Sequence, residues 1–260
     1  MGNKSVIARQ IVEAAKPYLQ DKIVTDLAVG LSLVTCQLSN GAVGMSYVLR
    51  HGLPPQCSVF GYAQEVIGKP AMEIAEWLIT GQDNLQRSIG CSVLTAASRE
   101  IDIPDDNNSE KKFGIDFDEN DTVGMIGLIG PIAQMLEKKV KELIIFDESV
   151  SAFGSHAKVC GMDQQPVLLP KCNKMIITGS SIINGSIDGL LEMCNNATEV
   201  VMVGSSTPMF AEAWKNTRVT RLAGSWWKEE EKEKIFKIVS LSGGIAHLSD
   251  YMIHKAEIVK

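Results

Sequence analysis

The sequence lacks several features that would identify a common class of protein. Its 25 Lys and Arg residues against 31 Asp and Glu give a net charge of −6. Without a surplus of positive charge to bind phosphates, we expect no nucleic-acid partner. The apolar runs are too short to span a bilayer, so we expect no membrane partner either. The first ten residues, MGNKSVIARQ, lack the apolar core of a secretory signal peptide. We therefore expect a cytoplasmic protein.

The cysteines form no C-x-x-C pair; they stand at positions 36, 57, 91, 160, 172 and 194. Thiols spread in this way indicate a reducing compartment rather than disulfides. The nearest group of metal-binding residue types is His156, Cys160 and Cys172, and its spacing matches no familiar zinc pattern. We therefore predict no directly bound metal. The sequence also lacks the G-x-S-x-G motif of serine hydrolases.

The first hundred residues carry the patterns of a mixed α+β domain. Helical periodicity, strand-like runs and a Ser-Asn-Gly turn signal predict these elements in order: helix 4–20, strand 23–36, turn 39–41, a second strand that completes a β-hairpin, helix 70–81 and helix 84–99. Helices beside an antiparallel hairpin are typical of an α+β fold. We predict a domain at 1–100.

Residues 101–121, IDIPDDNNSEKKFGIDFDEND, are acidic and have no periodicity. This pattern predicts a solvated linker or the tip of a long hairpin. The alternative is a hard-cation site, but DFDEND resembles a calcium loop only loosely.

Residues 122–260 alternate between strands and helices. The strands VGMIGLI, ELIIFDES, KMIITG and TEVVMVG are separated by helical segments such as PIAQMLEKKV and SIDGLLEMCNNA. This alternation predicts a Rossmann-like α/β domain with a mainly parallel sheet.

A glycine turn ends the first strand of that domain, in the segment Gly127, Leu128, Ile129 and Gly130. Together with Gly124, the spacing is G-x-x-G-x-x-G rather than the dinucleotide pattern G-x-G-x-x-G, which disfavours a standard NAD site. The turn either serves only the fold or binds another ligand, such as an adenosyl- or pterin-like molecule. The cofactor therefore stays unknown. Glu148 follows the second strand, where nucleotide-binding folds place the acid that binds a ribose.

Two further polar loops follow the third and fourth strands. The first begins with Thr178 and Gly179 and continues to Asn184; the second consists of Gly204, Ser205, Ser206, Thr207 and Pro208. Because ligands bind beyond the carboxyl ends of parallel strands, we expect these loops and the glycine turn to form one binding site. Each residue taken alone is more often a helix cap or a turn residue than a ligand contact.

The order of these motifs resembles one family over nearly the whole chain. The segments VGMIGLIG, IITGSSIINGSIDGLLE, ATEVVMVGSSTPMF and RLAGS, with DLAVGLSLVT, NGAVGMSY and RSIGCSVLTAAS before them, resemble the putative heavy-metal chelation family. The resemblance implies an enolase N-terminal-like domain packed on the Rossmann-like domain, with a ligand site in the cleft between them. It also implies condensation or hydrolysis of a flavin-, pterin- or siderophore-like molecule, or metal chelation.

The chain departs from the family pattern in three places. It lacks the family's usual Trp at Leu33-Val34-Thr35, has Thr95-Ala96 in place of an Asn-Ala pair, and has Ser205 in place of the Pro in Gly-Pro-Ser-Thr-Pro. If the missing Trp or Asn contacts ligand, this chain binds a different molecule or has lost activity.

Three functional hypotheses stay open, and the sequence does not decide whether the protein is an enzyme. The first is an enzyme in which Glu148 and Asn184 are catalytic, with Glu65 and Glu13 as weaker acid candidates. The second is a non-catalytic carrier of a small molecule such as a metal chelate. The third is an adenosylmethionine-dependent methyltransferase. Trp226 and Trp227 either stack on a planar ligand or belong to the core and a subunit contact. We expect a homodimer, the commonest oligomer.

Overall fold

The computed structural model describes residues 2–50, 53, 59–106, 112–153 and 159–259. These described residues form two sheets, one of three strands and one of seven. Among the described residues, no helix combines the length and the apolar character that a membrane span requires.

The amino-terminal part places helices beside a small antiparallel sheet of order β1-β2-β3. Its elements are α1 (Val6–Leu19), β1 (Val24–Val29), β2 (Leu33–Leu38), β3 (Val43–Tyr47), α2 (Ala71–Ala75), α3 (Trp77–Thr80) and α4 (Asn84–Ala97). Ser5 caps α1 by accepting a hydrogen bond from the Ala8 backbone N–H at 3.0 Å, and Asp83 caps α4 in the same way. The enolase likeness of this part stays a prediction.

The prediction of one strand over 23–36 is wrong, because the chain reverses direction at residues 30–32. The Gly30 N–H donates to the Leu33 carbonyl at 2.9 Å, so β1 and β2 form an antiparallel pair. Gly30 also packs against the carbonyl of Val239, where a side chain would not fit. The apolar run LAVGLSLV gives no sign of this turn in the sequence. Because the turn divides the predicted first strand into β1 and β2, the predicted hairpin is a three-stranded meander.

The carboxyl-terminal part forms a mainly parallel sheet, as predicted. Its strands are β4 (Thr122–Ile126), β5 (Glu142–Phe146), β6 (Val159–Cys160), β7 (Lys174–Thr178), β8 (Glu199–Val203), β9 (Arg221–Trp227) and β10 (Met252–Ile258). Its helices are α5 (Gly130–Leu136), α6 (Glu148–Phe153), α7 (Gln165–Leu168), α8 (Ser180–Ile183), α9 (Ile187–Met193) and α10 (Lys232–Ser240). All neighbours are parallel except the antiparallel pair β9 and β10.

The strand order β10-β9-β8-β7-β4-β5-β6 contains a switch point. The chain runs outward from β4 through β5 to β6, then returns to β7 on the other side of β4. At such a reversal the loops diverge and leave a crevice beyond the carboxyl ends of the strands. The loops after β4 and β7 flank this crevice.

The acidic segment differs from the solvated linker that its composition predicts. Ile103, Ile115 and Phe117 are buried, and they pack into the core on both sides of residues 107–111, which lie outside the described residues. The Lys255 side chain fixes the beginning of the acidic segment, because it donates hydrogen bonds to the Ile103 carbonyl at 2.7 Å and to the Asp105 carboxylate at 2.6 Å. The boundaries at 100/101 and 121/122 themselves stay a prediction.

Candidate functional site

The glycine turn after β4 requires glycine for two reasons. Gly127 has a φ of +85°, a left-handed conformation that disfavours other residues. A side chain there would also place its Cβ 2.9 Å from Cγ2 of Thr178. The turn after β4 and the end of β7 therefore lie in direct contact, as the predicted site requires.

Asp147, rather than Glu148, connects the end of β5 to this turn. Its Oδ2 accepts a hydrogen bond from the Leu128 N–H at 2.8 Å, and its Oδ1 accepts one from the Val150 N–H at 3.0 Å. Glu148 is the first residue of α6 and its side chain is exposed. Sequence reasoning missed Asp147, although an Asp directly before a helix is a common capping residue.

The Asp147 contact changes what the turn can offer to an anion. The Leu128 N–H is already bonded, and Pro131 has no N–H to donate. Ile129 and Gly130 are the residues of the turn whose N–H groups find no acceptor among the described residues. A Cβ added at Gly130 would meet nothing within 4 Å, so this side of the turn faces open space.

The loops after β7 and β8 pack tightly against each other. A Cβ on Gly179 would lie 2.5 Å from the Ser206 carbonyl carbon and 2.7 Å from Oγ1 of Thr207. Thr178 Oγ1 lies 3.1 Å from Oγ of Ser180. The absence of a side chain at Gly179 therefore allows the two loops to meet.

The amino-terminal part covers one end of the loop after β8. Oγ of Ser206 accepts a hydrogen bond from the Tyr47 N–H at 2.7 Å, and the Ser206 carbonyl accepts one from Cys91 Sγ at 3.4 Å. Ser206, Thr207 and Pro208 are buried, and Oγ1 of Thr207 finds no partner among the residues that the structure describes. Ser206 therefore belongs to the contact between the two parts of the chain.

The other end of the same loop stays accessible. Gly204 has a φ of +110°, and a Cβ there would meet nothing within 4 Å. Ser205 is half-buried. The predicted site residues that are at least partly exposed at the carboxyl edge of the sheet are thus Gly204, Ser205, Thr178, Glu148 and the turn at 127–130.

Asn184 lies in a turn that contacts the amino terminus. Its Oδ1 accepts a hydrogen bond from the Ser186 N–H at 3.0 Å, and its side chain is exposed. A Cβ on the neighbouring Gly185 would lie 2.5 Å from Oδ1 of Asn3. Within the described part of the chain, the Asn184 side chain makes no hydrogen bond to the loops after β4 or β8.

The described residues do not contain a donor set that fits a metal ion. Across 2–50, 53, 59–106, 112–153 and 159–259, no three His, Cys, Asp or Glu side chains come together in a way that could hold one. His156 lies outside these ranges. Burial raises the pKa of Cys36, Cys91 and Cys172 to about 12, so these thiols stay protonated and are poor ligands at neutral pH.

The two adjacent tryptophans belong to the core and do not line the crevice. Trp226 and Trp227 are 5% and 1% exposed. The ring of Trp226 contacts cations of the protein, with the Arg99 guanidinium carbon 4.7 Å and the Lys255 Nζ 3.9 Å from its centroid. The alternative of a stacked planar ligand therefore does not hold for Trp226.

Two grooves open elsewhere on the surface. The first has a volume of about 500 Å³ between α1 and residues 212–216, and Glu13 lines it, although the Glu13 carboxylate is paired with Lys16 at 2.7 Å. The second, of about 640 Å³, lies at the β10 edge of the large sheet. Neither is lined by the predicted loops at the carboxyl edge. Glu65, the other weaker acid candidate, is exposed.

Comparison with known proteins gives the same fold for two other chains. A protein of unknown function from the DUF364 family of Pyrococcus horikoshii is 20% identical, with a TM-score of 0.82 over 98% of this chain and 100% of that one. A second such protein, from Desulfitobacterium hafniense, is 19% identical, with a TM-score of 0.75 over 96% and 98%. At these identities the likeness shows the fold alone.

Sequence comparison identifies the family. An uncharacterized protein of Methanocaldococcus jannaschii is 21% identical over 145 residues, which span 55% of this chain and 55% of that relative. Two family profiles, both described as putative heavy-metal chelation, match residues 12–98 and 112–258. The resemblance drawn from the motifs is thus confirmed: the chain belongs to the putative heavy-metal chelation family.

Proposed function

We propose that the protein binds a small anionic organic molecule at the carboxyl edge of the large sheet, in siderophore-, pterin- or flavin-like metabolism. Where metal takes part, it is carried by that molecule. The observation that supports this proposal is the convergence of the glycine-containing loops after β4, β7 and β8. Gly127 and Gly179 pack the loops together, while Gly130 and Gly204 face open space, where a ligand can approach the backbone closely.

The chemistry of the donor set supports an organic ligand over a bare metal ion. Besides the half-buried Asp147 and the exposed Glu148, the accessible groups at the edge are the Ile129 and Gly130 N–H groups and the hydroxyls of Thr178 and Ser205. Such groups bind oxyanions and carbonyl oxygens, whereas a tightly bound metal needs clustered carboxylates, imidazoles or thiolates.

As an enzyme, the protein would carry out condensation, hydrolysis or group transfer on this molecule. Glu148 is exposed on the same edge and is the carboxylate that we propose as the acid or base. Asn184 stays our proposal for a residue that orients the substrate, through its amide nitrogen, because its oxygen is bonded to Ser186.

A non-catalytic carrier is the second candidate, and a specific observation favours it. Among the described residues, no His, Asp or Glu side chain donates to or accepts from the hydroxyl of Ser205 or Ser206, so neither serine has an activating base. A protein that only holds a chelate needs no such base.

A methyltransferase is the third candidate. The carboxylate of Asp147 lies beside the turn after β4, where nucleotide-binding folds place the acid that binds a ribose. Both of its oxygens already accept a backbone N–H, so a ribose would have to use the remaining lone pairs.

Native mass spectrometry of freshly purified protein, before and after denaturation, tests the proposal and also gives the oligomeric state. We expect a small organic molecule to be released on denaturation, with any metal released alongside it in elemental analysis of the same sample. Metal retained without an organic molecule would contradict the proposal. If the protein is empty, thermal-shift titration with adenosylmethionine, pterins and chelators decides the question, and no shift with any of them would also contradict it.

A matched pair of variants locates the bound molecule. Gly130→Val fills the open side of the turn, and Gly189→Val adds the same side chain on the exposed face of α9, where a Cβ also meets nothing within 4 Å. We expect Gly130→Val to lose at least about tenfold in affinity, because the added methyl groups occupy the ligand's position, and Gly189→Val to bind normally. Equal affinity in both variants would place the ligand elsewhere.

A further inference from the structure

The groove at the β10 edge lies apart from the predicted crevice. It is lined by residues of four segments: Pro104; Ala211, Glu212 and Lys215; Arg221; and Ala256, Glu257 and Ile258. Arg221 is the first residue of β9, and β9 is parallel to β8. The groove therefore opens near the amino end of β9, whereas the predicted crevice lies beyond the carboxyl ends of β4, β7 and β8.

Two cations in this groove have no partner of opposite charge. The Arg221 guanidinium and the Lys215 ammonium form no ion pair and no hydrogen bond within the described ranges. The Arg221 guanidinium packs directly against the backbone of Gly114, where an added Cβ would lie 2.8 Å from Nη1. Gly114 has a φ of +70°. The left-handed glycine thus makes room for the guanidinium. Glu212 is exposed at the rim that this groove shares with the groove beside α1.

The groove also contains an unpartnered carboxyl group. Oε2 of Glu257 is buried, and no donor reaches it among the residues that the structure describes. Burial raises the pKa of Glu257 above its ordinary value. A buried carboxyl oxygen without a donor is costly, and a ligand hydroxyl or amine would relieve that cost.

The size of the groove suits a small molecule. Its volume of about 640 Å³ falls within the range of small-molecule sites, roughly 300 to 1,000 Å³. The polar groups are few, and the rest of the lining is apolar, from Pro104, Ala211, Ala256 and Ile258. This combination is typical of a site that recognises a few functional groups.

We propose that the groove between Pro104, Lys215, Arg221 and Glu257 is a binding site for a small hydroxycarboxylate. The carboxylate of the ligand pairs with Arg221, which can donate two parallel hydrogen bonds, and with Lys215. The hydroxyl of the ligand donates to the Glu257 carboxyl group, whose buried Oε2 turns from the wall into the groove as the ligand binds. No covalent step is involved, and the site is independent of the ligand proposed for the crevice.

Isothermal titration with malate and succinate at constant ionic strength tests this proposal, because the two dicarboxylates differ only in one hydroxyl. We expect malate to bind saturably and at least about fivefold more tightly than succinate, since a hydroxyl that satisfies a buried acceptor is worth roughly one hydrogen bond. Failure of malate to bind at about 10 mM would overturn the site. Equal affinity for malate and succinate would overturn the role of Glu257.

Charge-removing variants show where the malate binds. Lys215 is exposed, so Lys215→Met should fold normally and weaken malate binding about five- to tenfold. Lys171→Met removes an exposed lysine that lines neither groove, and should leave the affinity within about twofold. Arg221→Met should weaken binding more than about tenfold, provided its melting temperature shows that it folds. Unchanged binding in Lys215→Met and equal losses in Lys215→Met and Lys171→Met would each overturn the assignment.

Discussion

The backbone N–H of Tyr47 donates a hydrogen bond to Oγ of Ser206 at 2.7 Å and thereby connects the small sheet to the loop after β8. Two further hydrogen bonds join the two parts close by: Cys91 donates to the Ser206 carbonyl at 3.4 Å, and Ser98 accepts from the Met209 N–H at 2.9 Å. The loop after β8 is therefore covered by the amino-terminal part at Ser206, whereas Gly204 at its other end stays partly exposed.

Removal of the Ser206 hydroxyl should loosen this contact. In Ser206→Ala the Tyr47 N–H, at the end of β3, loses its acceptor. We expect a loss of about 1–2 kcal/mol in the free energy of unfolding, the usual cost of a buried donor left unpaired. Urea denaturation measures this loss. Hydrogen exchange followed by mass spectrometry should show faster exchange for the peptide that contains Tyr47.

Ser205→Ala is the matched control, because Ser205 is half-buried and its hydroxyl bonds to none of the described residues. Its unfolding free energy should stay within about 0.5 kcal/mol of the wild type. A Ser206→Ala variant as stable as Ser205→Ala, with unchanged exchange at Tyr47, would show that the hydrogen bond does not hold the two parts together.

Asp147 should stabilise the turn after β4 although it is only half-buried. Its carboxylate accepts from the N–H groups of Leu128 and Val150, so Asp147→Ala leaves two backbone donors without their acceptor. Because hydrogen bonds to a charged group are stronger than neutral ones, we expect a loss of about 2 kcal/mol. Chemical denaturation at pH 7 gives this value. The ligand affinity of the crevice should fall as well, since the turn would lose its fixed shape.

Glu148→Ala distinguishes the structural effect of Asp147 from a catalytic role of the neighbouring Glu148. Glu148 is exposed, so its replacement should change stability by no more than about 0.5 kcal/mol. If Glu148 is the acid or base of a reaction, turnover should fall while the ligand still binds. A large loss of stability in Glu148→Ala, with none in Asp147→Ala, would contradict the assignment of the two carboxylates.

The sequence predicts the large sheet because each of its parallel strands can be recognised from neighbouring residues alone. Each parallel strand is a short apolar run followed by a glycine-containing loop, and loops at the carboxyl ends of parallel strands must share one edge. The contact between Gly127 and Thr178 follows from this rule. The turn at Gly30 does not, because the apolar residues around it continue without interruption and its packing partner, Val239, is more than 200 residues away.

The site was less predictable because its details depend on tertiary contacts. Nothing in the motif of residues 204–208 indicates that Ser206 is bonded to the amino-terminal part while Ser205 is not. Asp147 and Glu148 are adjacent acids, and only the position of the Leu128 N–H shows which of them contacts the turn. Asn184 precedes a glycine, a pattern equally typical of a turn residue.

The buried ion pair of Asp121 and Lys174 should make the stability of the folded protein sensitive to acid. Their side chains are 4% and 11% exposed, and Lys174 Nζ lies 2.9 Å from Oδ2 of Asp121. Burial acts to raise the pKa of Asp121, but hydrogen bonds from Lys174, the Asp118 backbone and Asn173, with the charge of Lys174, hold the pKa below its ordinary value. Asp121 is therefore ionised in the folded state well into acid.

When folding lowers the pKa of a carboxyl group, the ionised group stabilises the folded protein. This stabilisation is complete above the pKa of the unfolded chain, and it is lost as the pH falls through the pKa of the folded protein. For Asp121 the unfolded value is about 3.9, so this stability should be complete at pH 7 and decline below about pH 4. Among the described residues, Asp121→Asn leaves the buried Lys174 with only the Glu199 carboxylate, 3.7 Å from Nζ, as a counter-charge, and we expect it to be about 2 kcal/mol less stable than the wild type at pH 7. The difference between the two proteins should shrink as the pH falls below 4, because the wild-type carboxyl is then also neutral.

Asp250→Asn, at an exposed carboxylate without an ion pair among the described residues, should match the wild type at every pH. Urea denaturation from pH 3 to pH 7 measures all three proteins, and a constant difference between Asp121→Asn and the wild type would show that the ionised pair contributes nothing to stability.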